Sequence, residues 1–362
     1  MRYWSVDSVS SLTRFRIPRS VLIASAVMLV VRVAWILRFR EIDSDAYGHY
    51  FIAIAARRDP GNIDVHWVWL PLFHFLVGAL TKVGLTFRGV RFANALLATL
   101  PPLLVWDARR DEDARWAAIA FALSPLLTVL GQSAQPETLF LVFVVAAVHA
   151  STRGWPVRAG VWLALACMVR YEAWGAALAI GGAWLWKERT RTWLAFAAIP
   201  AAVVALYVLF RWWTDGTLLL FLRGTRDITK VQVAREAWTL RSLVDFPIIL
   251  PWRIIGPAIF AAPLGWKALG ARERALLAGF AAFLLLSYYS GGSHAGERYL
   301  VSLTPFAWIA IGAGWSRRRE VMLALVGLTT IWHLHRAAAM AIDWDEGLRE
   351  REQKLEEDRV RP

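Results

Sequence analysis

Cysteine is all but missing. Cys167 is the one thiol in 362 residues, which excludes an intramolecular disulfide framework and every metal centre built from several cysteines. Charge is also scarce: 19% of the residues are Asp, Glu, Lys or Arg, against about 25% in soluble domains. Neither G-x-x-x-x-G-K-[ST] nor G-x-G-x-x-G occurs, so nucleotide binding of those kinds has no support. H-E-x-x-H is absent as well, and no other strong zinc spacing replaces it. No repeat of fixed period and no soluble domain can be picked out.

What is present is apolar. Hydrophobic residues make up 57%, the mean hydropathy is +0.43, and 21 Trp stand beside 18 Phe and 8 Tyr. That composition belongs to a membrane protein with long contours at the lipid–water interface. The formal net charge of +13 comes mostly from Arg. In this setting it sets topology and meets lipid phosphate, and nucleic acid is not an expected partner.

Arg2, Arg14, Arg16 and Arg19 precede an apolar run over 20–37, which reads as an uncleaved anchor entering from the cytoplasm. Further apolar runs fall at 89–106, 116–134, 138–151, 158–169, 173–186, 192–212, 247–268, 275–289, 299–315 and 321–335. The expectation is an all-α polytopic membrane protein of about 11 transmembrane or partly spanning helices. Its parts are a cytoplasmic N-terminal segment (1–19), a membrane domain (20–336) and a charged tail (337–362). Runs as short as 158–169 and 173–186 need protein around them or a polar cavity where they meet.

The stretch His66–Leu85 is long enough to span. If it instead lies along the outer interface, the basic connections 109–115, 153–158, 187–191, 267–274 and 317–319 all face the cytoplasm. Spanning would turn them outward and bring in only Lys82, Arg88 and Arg91, so 38–88 is taken as a first outer loop with interfacial helices. The polar stretches 38–65, 131–137, 169–173, 214–246 and 290–298 then share the outer side.

Candidate chemistry lies in those stretches. In Asp43-Ser44-Asp45-Ala46-Tyr47-Gly48-His49, two carboxylates two apart diverge on a helix but converge in a turn. They suit a general base or a divalent-cation site, and Asp43 or Ser44 equally suits the cap of the helix that follows. Glu137, after Gln135-Pro136, fits a catalytic acid or a simple partner for a helix N-terminus. Arg170-Tyr171-Glu172 divides two short apolar runs, where ionisable groups must face each other or a wet cavity. Either an ion pair or an Arg meeting an anionic ligand satisfies that demand. In 290–299, small residues surround His294, Glu297, Arg298 and Tyr299; His294 and Arg298 can offer positive charge to a phosphate, or the stretch is an ordinary polar loop with a surface salt bridge. Arg223, Arg226 and Lys230 share one helical face and suit lipid headgroups or guidance of a lipid-linked phosphate. His333 and His335 read as packing or interface residues.

Taken together, the order of motifs resembles the C-type glycosyltransferase superfamily, in particular bacterial members akin to protein O-mannosyltransferases and aminoarabinose transferases. The resemblance spans about 20–315 and rests on Asp43-Ser44-Asp45 with Tyr47, Trp69-Leu70-Pro71-Leu72-Phe73-His74, Gln135-Pro136-Glu137, Arg170-Tyr171-Glu172 and Glu297-Arg298-Tyr299. It implies a many-helix fold with an extracytoplasmic active site and a sugar donor carried on a polyprenyl phosphate. Carried over, Asp43 or Asp45 is the base, Glu137 a second acid, and Arg170 and Arg298 partners of the donor phosphate. Tyr47, His49, His74, Tyr171, Glu172, His294, Glu297 and Tyr299 are the expected substrate-contacting set. The first motif of the family is often Asp-Glu, whereas Ser44 stands here. The Trp-Trp-Asp-Tyr-Gly motif and large extracytoplasmic domain of oligosaccharyltransferases are not found, which argues against that branch.

The reading is therefore a membrane hexosyl- or pentosyltransferase, inverting, in a bacterial inner membrane. Its expected partners are membrane lipid and a lipid-linked sugar. A divalent metal on Asp43 and Asp45 is possible, while the acceptor and any partner subunits stay open. The competing classes are a secondary transporter with an intramembrane Arg/Glu site and a non-catalytic membrane subunit.

Overall fold

A computed structural model describes residues 17–66, 69–184, 191–216, 250–289 and 297–360. Among the described residues every regular element is helical. The first helix, α1 (Arg19–Arg38), is apolar along its length and ends on basic Arg38, the sign that a helix C-terminus favours. Among the described residues, four helices are long and apolar enough to cross a membrane: Arg19–Arg38, Phe87–Arg109, Trp193–Asp215 and Arg319–Asp343.

Other passes are assembled from pieces. The second candidate span consists of α4 (Phe87–Leu97) and α5 (Leu100–Arg109), with Pro101 and Pro102 opening the second piece. In the same way α6 (Glu112–Ala122) gives way at Ser124 to α7 (Pro125–Leu130), which Ser124 caps with its side chain. Then come α8 (Glu137–Thr152), α9 (Pro156–Cys167), α10 (Glu172–Ala183) and α11 (Arg191–Asp215). Beyond 249 lie α12 (Leu250–Ile255), a 3-10 turn, α13 (Ala262–Gly265), α14 (Ala271–Tyr289), a 3-10 segment Glu297–Leu303, α15 (Thr304–Gly314) and α16 (Arg319–Val360). The last helix runs through Arg336 without a break.

The first outer loop expected over 38–88 holds two short helices. The first is α2 (Ser44–Arg58); the second is α3 (Leu72–Lys82), which packs back against it. Eleven residues of α3 reach about 16 Å, roughly half the hydrocarbon thickness, so α3 cannot cross alone.

The buried centre is lined by α8, of which nearly every residue is inaccessible, and by Phe121, Phe280, Phe306 and Trp308. Arg32, buried in α1, meets the C-terminal end of α7 at Gly131, a helix end that favours a cation. Polar groups gather at the two ends of α8. At its C-terminal end His149 and Arg153 bond Asp107, and Arg109 pairs with Glu273 at 2.6 Å. At its N-terminal end stands Glu137. Sixteen residues set the two clusters about 24 Å apart.

Helices α10 and α14 cross closely. A Cβ on Gly279 would lie 2.5 Å from the Gly175 carbonyl oxygen and 2.7 Å from Ala176 Cα. Gly279→Val is therefore expected to cost about 1–3 kcal/mol, read as a lower thermal midpoint in detergent. Gly181→Ala, at a position open to space, leaves the midpoint unchanged or slightly raised.

Candidate active site

Four distant stretches meet at the N-terminal end of α8. Asp43 caps α2: its Oδ1 accepts the Asp45 N–H at 2.8 Å, while its Oδ2 accepts Gln135 Nε2 at 2.5 Å. The capping function anticipated for it is thus real, and the same carboxylate also opens onto a cavity of about 560 Å³. Asp45, in the first turn, takes Arg298 Nη2 on its Oδ2 at 2.5 Å. Arg298 stands 4.0 Å from Asp43 Oδ2 and 3.9 Å from Glu137 Oε1.

Glu137 is 1% exposed and pairs with Arg170 Nη1. Arg170 also donates from Nε and Nη2 to Glu172 Oε1, at 3.0 and 2.6 Å. Its guanidinium and that of Arg298 both lie over the Tyr299 ring, 5.2 and 5.5 Å from the centroid. A buried carboxylate persists only when paired; here two arginines share the task, and the Tyr299 face steadies both guanidinium groups.

The remaining candidates scatter. Tyr47 donates to the Glu41 carbonyl and stacks on Phe87. Tyr171 turns toward Tyr207 and Trp174. His49 and His74 join His66 in a chain of imidazoles, His49 Nδ1 to His74 Nε2 and His74 Nδ1 to His66 Nδ1, each 2.9 Å. His294 and the stripe Arg223, Arg226 and Lys230 lie outside the described residues, as does the side chain of Glu297.

Several participants escaped the sequence reading. Arg91 donates to the Gln132 carbonyl at 2.8 Å and to that of Phe39 at 3.1 Å, and faces Glu41 at 3.5 Å. Asn94 donates to the carbonyls of Ser133 and Gln135 at 2.7 and 2.9 Å. These two side chains, one turn apart on α4, hold the loop 131–136 that presents Gln135 and Glu137. The available signal was their spacing, i and i+3, within an apolar pass where polar side chains demand partners.

No group of three His, Cys, Asp or Glu among the described residues is arranged to hold a metal ion. Asp43 and Asp45 are already engaged by Gln135 and Arg298, and a guanidinium beside Asp45 opposes a dication. The pair does not fit a metal as it stands, and no step below passes through one.

The cavity is amphipathic. Asp43, Asp45 and Arg298 form part of its polar wall, while Trp35, Leu126 and Ile254 belong to an apolar one. Ile254 also borders a second cavity of about 570 Å³, almost wholly apolar, between α12, α14 and α15.

Neither a protein-family model nor a curated protein matches the sequence. Solved structures do match. ArnT from Cupriavidus metallidurans bound to undecaprenyl phosphate aligns at a TM-score of 0.57 and 18% identity, over 88% of this chain and 63% of that one. The oligosaccharyltransferase of Archaeoglobus fulgidus, in a complex with Zn and sulfate, aligns at 0.54 and 15% identity, over 89% and 51%. The chain shares the fold of these two structures. A further structure with that fold, AglB from Archaeoglobus fulgidus with an inhibitory peptide and a dolichol-phosphate, aligns at 0.51 and 12% identity, over 87% and 54%. The chain spans about half to three-fifths of the length of these structures.

Two predictions follow from the geometry. Arg170→Met leaves Glu137 buried without its nearest cation and is expected to cost about 3–5 kcal/mol, seen as a large fall in thermal midpoint. Arg298→Met, on a more exposed side chain, costs less. The imidazole chain sets a pH dependence. Burial, together with the charges of Arg298 and Arg170, pushes His49 down to about 3, and burial with Arg211 pushes His66 down to about 4. Between the ordinary 6.5 and these values the unfolded chain binds protons that the folded rings refuse. Stability therefore falls as pH drops below about 6.5, by up to about 1.4 kcal/mol per pH unit for each ring. A thermal-midpoint series from pH 7.5 to 4.5 checks this, with a shallower slope expected for His66→Gln.

Proposed function

We propose that the protein is a membrane glycosyltransferase that moves a sugar from a polyprenyl-phosphate donor to a hydroxyl acceptor. One observation carries the reading: Asp43, Asp45, Glu137 and Arg298, from three separate stretches, meet beside a cavity with a polar and an apolar wall. An amphiphile with an anionic head fits such a cavity. The second, apolar cavity beyond Ile254 offers room for more of an isoprenoid chain. The shared fold with ArnT bound to undecaprenyl phosphate and with AglB bound to dolichol-phosphate supports a carrier of this chemical kind.

Asp43 is the base in this mechanism. Neutral donors, a backbone N–H and the Gln135 amide, orient its carboxylate and leave lone pairs toward the cavity. Asp45 instead has its Oδ2 occupied by the Arg298 guanidinium at 2.5 Å, so that oxygen is not open to the acceptor's proton. The acceptor oxygen attacks the anomeric carbon as Asp43 takes its proton. The bond from that carbon to the phosphate oxygen breaks, and the electron pair leaves with the phosphate. Arg298 stabilises the charge that develops there. Arg170 holds Glu137, and Glu137 helps to hold Arg298. Direct attack without an enzyme nucleophile inverts the anomeric centre.

Sidedness follows from charge. The end of the bundle opposite the site carries the connections with Arg109, Arg110, Arg115, Arg153 and Arg319; facing them to the cytoplasm puts the site on the extracytoplasmic side of a bacterial inner membrane. The place of the site at an end of α8, rather than at its middle, also favours transfer chemistry over a transporter, whose site lies near the midplane.

Donor consumption in proteoliposomes tests the mechanism. Asp43→Asn is expected to lower kcat by about 10²–10⁴-fold. Asp45→Asn acts more weakly and mainly through KM, because it releases Arg298. Wild-type rates in both single variants and the double variant would remove Asp43 as base, and a retained anomeric configuration would remove direct displacement.

A further inference from the structure

A second group of cations lies on the outside of the bundle, away from the reacting groups. Trp252 and Arg253 of α12 and Trp332 and Arg336 of α16 are all exposed. The Arg336 guanidinium lies over the Trp332 ring, 5.0 Å from its centroid. Trp332 in turn shares the wall of a cavity of about 340 Å³ with Trp252 and Arg253. Neither arginine is paired with a carboxylate among the described residues.

Their level in the membrane follows from α16. That helix is tied to Glu112 and Asp113 at Arg319, the end opposite the site. Trp332 and Arg336 stand about 20 and 26 Å further along it, close to the far boundary of a hydrocarbon layer about 30 Å thick. Tryptophan at that level sits among headgroups, and a guanidinium without an acid partner attracts a phosphate there.

The small cavity also adjoins the catalytic one. His333 Nε2 donates to the Arg253 carbonyl at 2.6 Å, which joins α16 to α12. His333 and Ile254 line the cavity beside Asp43 and Arg298, while their chain neighbours Trp332 and Arg253 line the small one. Bulk phospholipid has no use for such a connection. A lipid whose phosphate must reach Arg298 from the membrane does.

We propose that Arg253 and Arg336, with Trp252 and Trp332, form an entry site on the lipid-facing surface that holds the phosphate head of the polyprenyl-phosphate carrier before it passes into the catalytic cavity. This rests on the transferase reading and adds a binding site outside its reacting groups.

Photolabelling tests it. The full chain in phosphatidylcholine vesicles is irradiated with undecaprenyl phosphate that carries a diazirine on the isoprene unit next to the phosphate, and the adducts are mapped. Labelling is expected at 250–256 and 329–340 and, separately, at 126–135 beside the reacting groups. Arg253→Gln together with Arg336→Gln should lower labelling of the first two segments at least about tenfold and leave the third unchanged. Arg253→Lys with Arg336→Lys keeps both charges and should retain most of the entry-site labelling, which a merely structural role of the arginines would not explain. Replacing part of the phosphatidylcholine by phosphatidylglycerol should leave the pattern in place. Entry-site labelling that survives the double Gln variant, that undecaprenol with the same diazirine reproduces, or that phosphatidylglycerol abolishes overturns the entry site alone, as does labelling confined to 126–135. Wild type labelled at none of these segments overturns the transferase reading as well.

Discussion

Everything at the site depends on pairing the Glu137 carboxylate where it is 1% exposed. An isolated carboxylate at that depth would protonate or unfold its surroundings. Arg170 prevents this from one side, itself neutralised by Glu172, and Arg298 reaches in from the other. Arg298 then has one face left for Asp45 and Asp43. The network thereby links α2, α8, the start of α10 and the 3-10 segment that follows α14, elements that share no local sequence. Helix packing alone would leave those ends free to drift; the shared charges fix them.

The second constraint is the membrane itself. A single α-helical pass needs about 20 residues, yet α8, α9 and α10 are each shorter. Their polar ends stop inside the bundle, and protein or cavity must satisfy them. Short helices are thus what creates a polar recess at the end of an apolar bundle. Arg91 and Asn94 complete it by tying down the loop before α8 through carbonyl oxygens, so a loop of Gly, Gln and Ser holds its shape without secondary structure.

Much of this was legible beforehand because hydropathy and charge are local properties. The all-α membrane character follows from composition. The positions of Asp43, Glu137, Arg170 and Arg298 stand out because charged residues beside apolar runs demand partners. Which partner each one takes was not legible. Nothing in Asp43-Ser44-Asp45 says that the first carboxylate caps its own helix while the second meets Arg298, since that depends on the direction in which α2 leaves α1. Arg91 looked like one more loop charge, because its partners are backbone carbonyls and those leave no trace in side-chain identity. His49 and His74 were expected as substrate contacts, but their pairing with each other and with His66 requires α2 and α3 to fold back on one another.

The claim beneath all of this is that the amphipathic cavity beside Asp43 and Arg298 holds a lipid with an anionic phosphate head. Native mass spectrometry of the protein released from its own membrane tests it directly. The account predicts a bound polyprenyl phosphate or its glycosylated form, with occupancy that collapses in Arg298→Ala. Phospholipid alone, or a polyprenyl phosphate retained undiminished by Arg298→Ala, would contradict it.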